Sequence, residues 1–239
     1  IMYIKQTHST NALLIEMVRE GNLPEEFLIR TDFQTAGKGQ MGNSWEAEAG
    51  KNLLFSFVLY PVHIAIDEQF IISQLVSVAI KKVLDTYADG FTVKWPNDIY
   101  YCDKKIGGIL IENSLQGGRL KWMVTGVGLN INQKVFRSNA PNPVSLRQIA
   151  GKRMNRKTIL DQITREIHQL YHAMDAEAIR NAYFEGLYRR DGLHPFRADG
   201  EAFNACITNV GRDGKLELTT EEGEVRSYYF KEVEFIIAQ

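Results

Sequence analysis

The sequence carries almost no net charge: 28 lysines and arginines stand against 29 aspartates and glutamates, a formal net charge of -1. Broad binding to a nucleic-acid backbone needs an excess of cations, so no nucleic-acid partner is expected. Cysteine is scarce. Cys102 and Cys206 lie far apart, with no CxxC spacing, which speaks against a zinc ribbon or a disulfide framework and points to a reducing, cytoplasmic setting. No apolar run approaches the roughly 18 residues that suggest a membrane helix, and no signal peptide is visible, so no membrane partner is expected. Internal repeats and low-complexity stretches are also missing. The rest is ordinary for a globular chain: 239 residues, 44% of them hydrophobic, enough for one domain of usual size and a small second one.

The most unusual stretch is residues 93–112. Lys94-Trp95-Pro96-Asn97-Asp98 ends a strand in a sharp break, because Pro96 holds Trp95 extended and has no N–H to offer. Residues 99–101 and 106–111 are rich in β-branched and aromatic side chains, and Cys102-Asp103-Lys104 between them supplies a polar turn. Lys105 then heads an apolar strand. Strict alternation puts it on the side of Gly107, Ile109 and Ile111, with Lys104 opposite. A lysine there either snorkels to water or serves a buried anion. Gly107-Gly108 is either a bulge or a place where a ligand approaches the backbone.

Ser9, Thr10 and Asn11 precede a helical pattern over residues 12–19. They read as caps, as ligand-facing groups, or as both. Residues 27–34 read as a strand that runs into Gly37-Lys38-Gly39-Gln40-Met41-Gly42. This spells G-x-G-x-x-G, yet no apolar helical face follows the third glycine, so the dinucleotide fingerprint is rejected. The segment reads instead as a mobile loop able to fold over an anion. No Walker A motif is present. Residues 53–60 are a buried strand, 66–87 a helix, and 120–131 a strand carrying Gly126-Val127-Gly128. Asn130 reads either as a base-edge reader or as a residue satisfying its own turn. Residues 140–143 read as a loop, 144–150 as a short helix and 158–187 as one long helical stretch. His168 and His172 sit one turn apart on it, but no Glu follows the first as in H-E-x-x-H, and no metal site is expected. After Gly192, short strands alternate with turns in a small all-β unit of about 45 residues, too small to stand alone and expected to pack on the larger part.

Together these motifs resemble the biotin protein ligases. The resemblance rests on Lys94-Trp95-Pro96-Asn97-Asp98 followed by Lys105-Ile106-Gly107-Gly108-Ile109-Leu110. Ser9-Thr10-Asn11, the glycine loop with Trp45, and Gly126-Val127-Gly128-Leu129-Asn130 occur in the family's order. It implies an α+β fold with two parts. Residues 2–190 would form a catalytic biotin- and ATP-binding domain, a mixed β-sheet with helices packed on one face, akin to class II aminoacyl-tRNA synthetases. Residues 191–239 would form an SH3-like β-barrel. It implies activation of biotin with ATP to biotinyl-5'-AMP, then transfer to one lysine of a biotin carboxyl carrier domain of acetyl-CoA carboxylase or a related carboxylase. ATP and Mg2+ are then co-substrate and activator, with no permanently bound cofactor, and the chain is a monomer or homodimer. The resemblance makes Lys105 and Asp98 catalytic. It assigns Ser9, Thr10, Asn11, Gln34, Gly37, Lys38, Gly39, Gln40, Lys105 and Gly108 to biotin, and Lys38, Gln40, Trp45, Lys94 and Asn130 to ATP or the adenylate.

Two departures stand out. The family loop commonly reads G-R-G-R-x-G, whereas here Lys38 and Gln40 replace both arginines and only the first keeps a charge. Regulatory members carry a DNA-binding helix-turn-helix before the catalytic part; with Ser9-Thr10-Asn11 within the first dozen residues, none is expected here. Lipoate or octanoate transfer is the alternative within the superfamily. A non-catalytic biotin-binding sensor is the alternative of another class.

Overall fold

A computed structural model describes residues 1–137 and 142–237; the loop expected over residues 140–143 lies partly outside them. The first sheet contains β1 (Met2–Thr7), β2 (Leu28–Gln34), β3 (Leu53–Leu59), β4 (Phe91–Lys94), β5 (Asp98–Tyr101), β6 (Lys104–Gln116) and β7 (Arg119–Leu129). Their order across the sheet is β1-β2-β3-β7-β6-β5-β4. Only β1 and β2 pair in parallel, so the sheet is mixed, as expected. It sits at the centre because β3 is buried along its whole length, which requires cover on both faces.

That cover differs between the faces. Leu53, Phe55, Phe57 and Leu59 of β3 join a core with α2 (Phe70–Leu84), α4 (Arg156–Ala173) and α5 (Ala176–Glu185). Val58, pointing the other way, joins a smaller cluster with Leu14 of α1 (Thr10–Glu20), Ile29, Trp122 and Val124. The long helices thus pack one face, while α1 covers only part of the other and leaves the remainder open.

The helices follow local chemistry with one exception. Ser9 caps α1, its hydroxyl accepting from the N–H of Ala12. A reciprocal capping box joins Ser145 and Gln148 at α3 (Leu146–Ala150), satisfying two orphan donors. The long stretch expected over residues 158–187 is in fact two helices. Met174 takes a left-handed conformation, φ 41°, ending α4, and Asp175 caps α5 by accepting from Ala178. The break lets both segments lie against α2 rather than one overshooting it.

The chain ends in a five-stranded antiparallel sheet of β8 (His194–Ala198), β9 (Glu201–Val210), β10 (Leu216–Thr220), β11 (Val225–Tyr228) and β12 (Glu234–Phe235). This matches the expected SH3-like unit. It shares the main core through Phe196, Ile207, Leu216 and Leu218, and the buried Trp95 indole N–H donates to the Gly214 carbonyl at 2.9 Å. Among the described residues no helix is long and apolar enough to cross a membrane.

The cluster under α1 is small, so each member matters. Leu14 is 0% exposed. Leu14→Ala should cost about 2–5 kcal/mol, lowering the urea midpoint measured by circular dichroism. A loss below about 1 kcal/mol would show that polar contacts, not Leu14, seat this helix.

Candidate functional site

The open part of the α1 face is a pocket, and the alternation of β7 explains it. Trp122 and Val124 fill this face beneath α1, but the next two positions pointing the same way are Gly126 and Gly128. Gly126 pairs across the strands with Leu110, and Gly128 with Gly108. A Cβ on Gly126 would run into the Asn11 amide, and one on Gly128 would lie 2.6 Å from Trp45 Cε2. The bare floor therefore admits side chains from elsewhere, and a cavity of about 150 Å³ lies above it.

One end of the cavity is neutral and polar. Gln34 Oε1 accepts from the backbone N–H and the hydroxyl of Thr10, at 2.7 and 3.0 Å. Ser56 Oγ lies 2.7 Å from Thr10 Oγ1 and 2.6 Å from Asn11 Oδ1. Its single proton serves one of them at a time, so the other keeps an open lone pair. The Asn11 amide donates to Glu112 Oε2 at 2.8 Å and to the Leu110 carbonyl at 3.2 Å. Ser9 lines the same end while capping the helix, so its two readings coexist.

The other end is charged. Lys105 Nζ meets Asp98 Oδ2 at 2.7 Å, and the pair adjoins Gly108, where a Cβ would sit 3.2 Å from Asp98 Oδ1 and 3.6 Å from Lys105 Cε. This corrects the strict alternation expected for the strand. Tyr100 pairs with Lys105 but Ile99 with Gly107, so Ile106 is an extra residue. That bulge re-aims the lysine. Lys105 shares the pocket face with Gly108, while Gly107 faces Leu129 in the core. The bulge is braced: the Lys105 N–H donates to Asn142, its carbonyl accepts from Val144, and the Ile106 carbonyl accepts from the Asn130 N–H.

Each residue of Lys94-Trp95-Pro96-Asn97-Asp98 has its own partner. The Lys94 ammonium lies 4.7 Å from the Phe235 ring centroid and 5.7 Å from that of Tyr100. Burial pushes its pKa down, against an opposing pull from Asp98. The Pro96 carbonyl accepts from the Tyr183 hydroxyl at 2.8 Å. Asn97 bonds Ile109 twice, its amide donating to the Ile109 carbonyl and its own carbonyl accepting from the Ile109 N–H.

The glycine loop folds back on itself. The Trp45 N–H donates to Gly37 at 2.9 Å and the Gly39 N–H to Asn43 at 2.6 Å, with a single 3-10 turn at Gln40–Gly42. No helix opens there, in line with rejecting the dinucleotide fingerprint. Lys38, Gly39 and Gln40 line the pocket; Gly37 braces Trp45 from outside. The indole lies over the glycine floor, its ring centroid 5.9 Å from Lys105 Nζ. Trp45 Nε1 and Gln40 Oε1 are buried without a hydrogen-bond partner among the described residues. Two orphaned polar atoms on pocket walls suit a polar ligand better than a packed core.

Besides Gly37, one predicted residue stays outside the cavity, Asn130. Its Oδ1 accepts from Asn52 at 3.4 Å, and it does not line the cavity. Sequence reasoning missed Ser56, Glu112 and Phe230. The first two had a signal, as the lone hydroxyl in an apolar strand and the first acid after one. Phe230, which reaches the pocket from the C-terminal unit, had none.

A profile of the biotin/lipoate A/B protein ligase family matches residues 3–130. The bifunctional ligase/repressor BirA of Bacillus subtilis is 32% identical over 148 residues, 59% of this chain and 45% of that protein. The biotin--[acetyl-CoA-carboxylase] ligase of Mycobacterium tuberculosis is 29% identical over 171 residues, 69% of this chain and 61% of that protein. The chain spans about half the length of the curated relatives it matches. In structure, the chain is similar to a biotin protein ligase from Aquifex aeolicus in complex with biotin and ATP. The TM-score is 0.79 at 22% identity, over 99% of this chain and 98% of that one.

The bare floor can be tested directly. Gly128→Ala should force the Trp45 ring off the sheet, because the new methyl overlaps it, and acrylamide quenching of tryptophan fluorescence should rise. Unchanged quenching would place the ring elsewhere in solution.

Proposed function

This chain belongs to the biotin/lipoate A/B protein ligase family, and on that footing we propose that it activates biotin with ATP to biotinyl-5'-AMP, releasing pyrophosphate. It then passes the biotinyl group to a lysine of a biotin carboxyl carrier protein. The observation that carries this reading is the polarity of the cavity: hydroxyls and amides at one end, a bare apolar floor between, and the Lys105–Asp98 pair at the other. Biotin has the matching order. Its cyclic urea, two N–H donors and a carbonyl, suits Ser9, Thr10, Asn11 and Gln34, and its carboxylate suits Lys105. Gly108 lets the chain pass, and Trp45 covers it.

In the first step a carboxylate oxygen of biotin attacks the α-phosphorus of ATP and pyrophosphate leaves. Lys105, Lys38 and the N–H groups of the glycine loop offset the charge that builds on the phosphoryl oxygens; fixed donors and cations in a dry site are the strongest lever for this. Lys94 has no ion pair among the described residues, so the charge of an incoming polyphosphate would oppose the effect of the burial that depresses its pKa. In the second step the acceptor lysine's neutral amine attacks the acyl carbon, loses a proton and expels AMP. Asp98, freed from Lys105 as the cation turns to phosphate, is the carboxylate that can take that proton. Asp98, a carboxylate lining the pocket, would hold a magnesium ion bound with ATP, which would supply charge to offset that of the polyphosphate. Contact of Asn130 with adenine requires its amide to leave Asn52.

ATP–pyrophosphate exchange tests this reading. Biotin should support exchange and lipoate should not; the reverse would assign the chain to lipoyl transfer, and no exchange with either would make it a binding module. Lys105→Ala should lower exchange about 100-fold or more, with Lys104→Ala near wild type. Near-normal exchange in a folded Lys105→Ala variant would remove Lys105 from the chemistry.

The loop yields a second expectation. Gln40 offers a neutral amide where relatives commonly hold arginine, and charge-assisted bonds to phosphate are roughly twice as strong as neutral ones. Gln40→Arg should therefore slow release of biotinyl-5'-AMP without carrier protein, by about tenfold for each 1.4 kcal/mol gained. Equal or faster release would show that Lys38 or Lys51 already holds the phosphate.

A further inference from the structure

A second group of chemistry-bearing side chains lies outside the pocket. His168 and His172 stand one turn apart on α4, on the same face, with ring centroids 4.3 Å apart. Glu26, from the turn before β2, meets both: its Oε2 is 2.8 Å from His168 Nδ1 and 3.5 Å from His172 Nε2. One donor atom from each of the three residues lies within 4.8 Å of the others.

A plain surface ion pair needs only one histidine. Two imidazoles and a carboxylate whose donor atoms lie within 4.8 Å of one another are the donor set that suits a borderline divalent transition metal. Donors about 2.0–2.2 Å from a tetrahedral ion lie roughly 3.2–3.6 Å apart, and the two separations to Glu26 bracket the lower end of that range. The backbone that carries the carboxylate is also held in place. Glu26 sits at φ 60°, a left-handed conformation that costs a residue with a side chain, and its N–H donates to the Val58 carbonyl at 2.8 Å. The histidine side chains are 58% and 52% exposed, so an ion can enter and water can complete its shell.

We infer that Glu26, His168 and His172 form a binding site for a zinc-type divalent ion, which clips α4 to the turn before β2. The site is independent of the ligase reading, because none of the three residues lines the pocket. Imidazole donors favour Zn2+, Co2+ and Ni2+ over Mg2+.

The full chain titrated with Co2+ should develop visible absorption that saturates at one ion per chain, is displaced by Zn2+ and is unaffected by excess Mg2+. Zn2+ at about 100 times its dissociation constant should raise the thermal midpoint by about 5–10 °C. Glu26→Gln, His168→Gln and His172→Gln should each weaken binding more than about tenfold, since even outer-shell changes at metal sites cost 10–100-fold. All three should keep the wild-type circular dichroism spectrum, and His63→Gln should bind as the wild type does. No cobalt spectrum and no calorimetric response to Zn2+, or binding that persists unchanged in the three variants, would overturn the site.

Discussion

The pocket depends on three positions that have no side chain. A sheet face in a protein interior is ordinarily filled by what its strands project. Here Gly108, Gly126 and Gly128 fall on one face of adjacent strands, two of them directly paired. The void they leave is occupied by groups from distant parts of the chain: the Asn11 amide from α1 and the Trp45 indole from the glycine loop. Both would be displaced by a single methyl group. The same face a few residues earlier carries Trp122 and Val124 and is an ordinary core, so the change from core to cavity happens within one strand and needs no change of fold.

The charged end depends on a second device, the bulge at Ile106. It turns two neighbouring glycines to opposite uses, Gly107 making room for Leu129 and Gly108 opening the pocket beside Lys105 and Asp98. Around it, the segment from Lys94 to Asp98 works as a junction. Trp95 bonds the C-terminal sheet, Pro96 meets Tyr183 of α5, Asn97 holds β6, and Asp98 pairs with Lys105. The C-terminal sheet thereby touches the pocket, since Phe235 packs on Lys94 and Phe230 reaches the cavity wall.

Much of this was legible in the chain alone, for local reasons. Caps and turns act over four residues, so Ser9 as an N-cap and the Cys102-Asp103 turn could be read directly. Burial of β3 followed from a nearly continuous apolar run. The density of glycine, proline and lysine between residues 94 and 128 marked the site, because those choices are poor for a strand unless something approaches it. The helix break at Met174 was hidden, since an apolar period continues across it and the left-handed turn is stabilised by packing both helices on α2. The facing of Lys105 was misread because one extra residue inverts a period of two.

What the sequence determined by itself is therefore the class of fold, the family and many of the residues gathered at the pocket, all carried by short-range patterns and contiguous motifs. What only the tertiary structure decided is which groups face one another. Ser56 joins Thr10 and Asn11 across 46 and 45 positions, Phe230 comes to the cavity from the far end of the chain, and Asn130 turns away toward Asn52. Glu26 meets His168 and His172 across more than 140 positions. Such meetings are set by strand order, bulges and helix packing, and no local period in the chain encodes them.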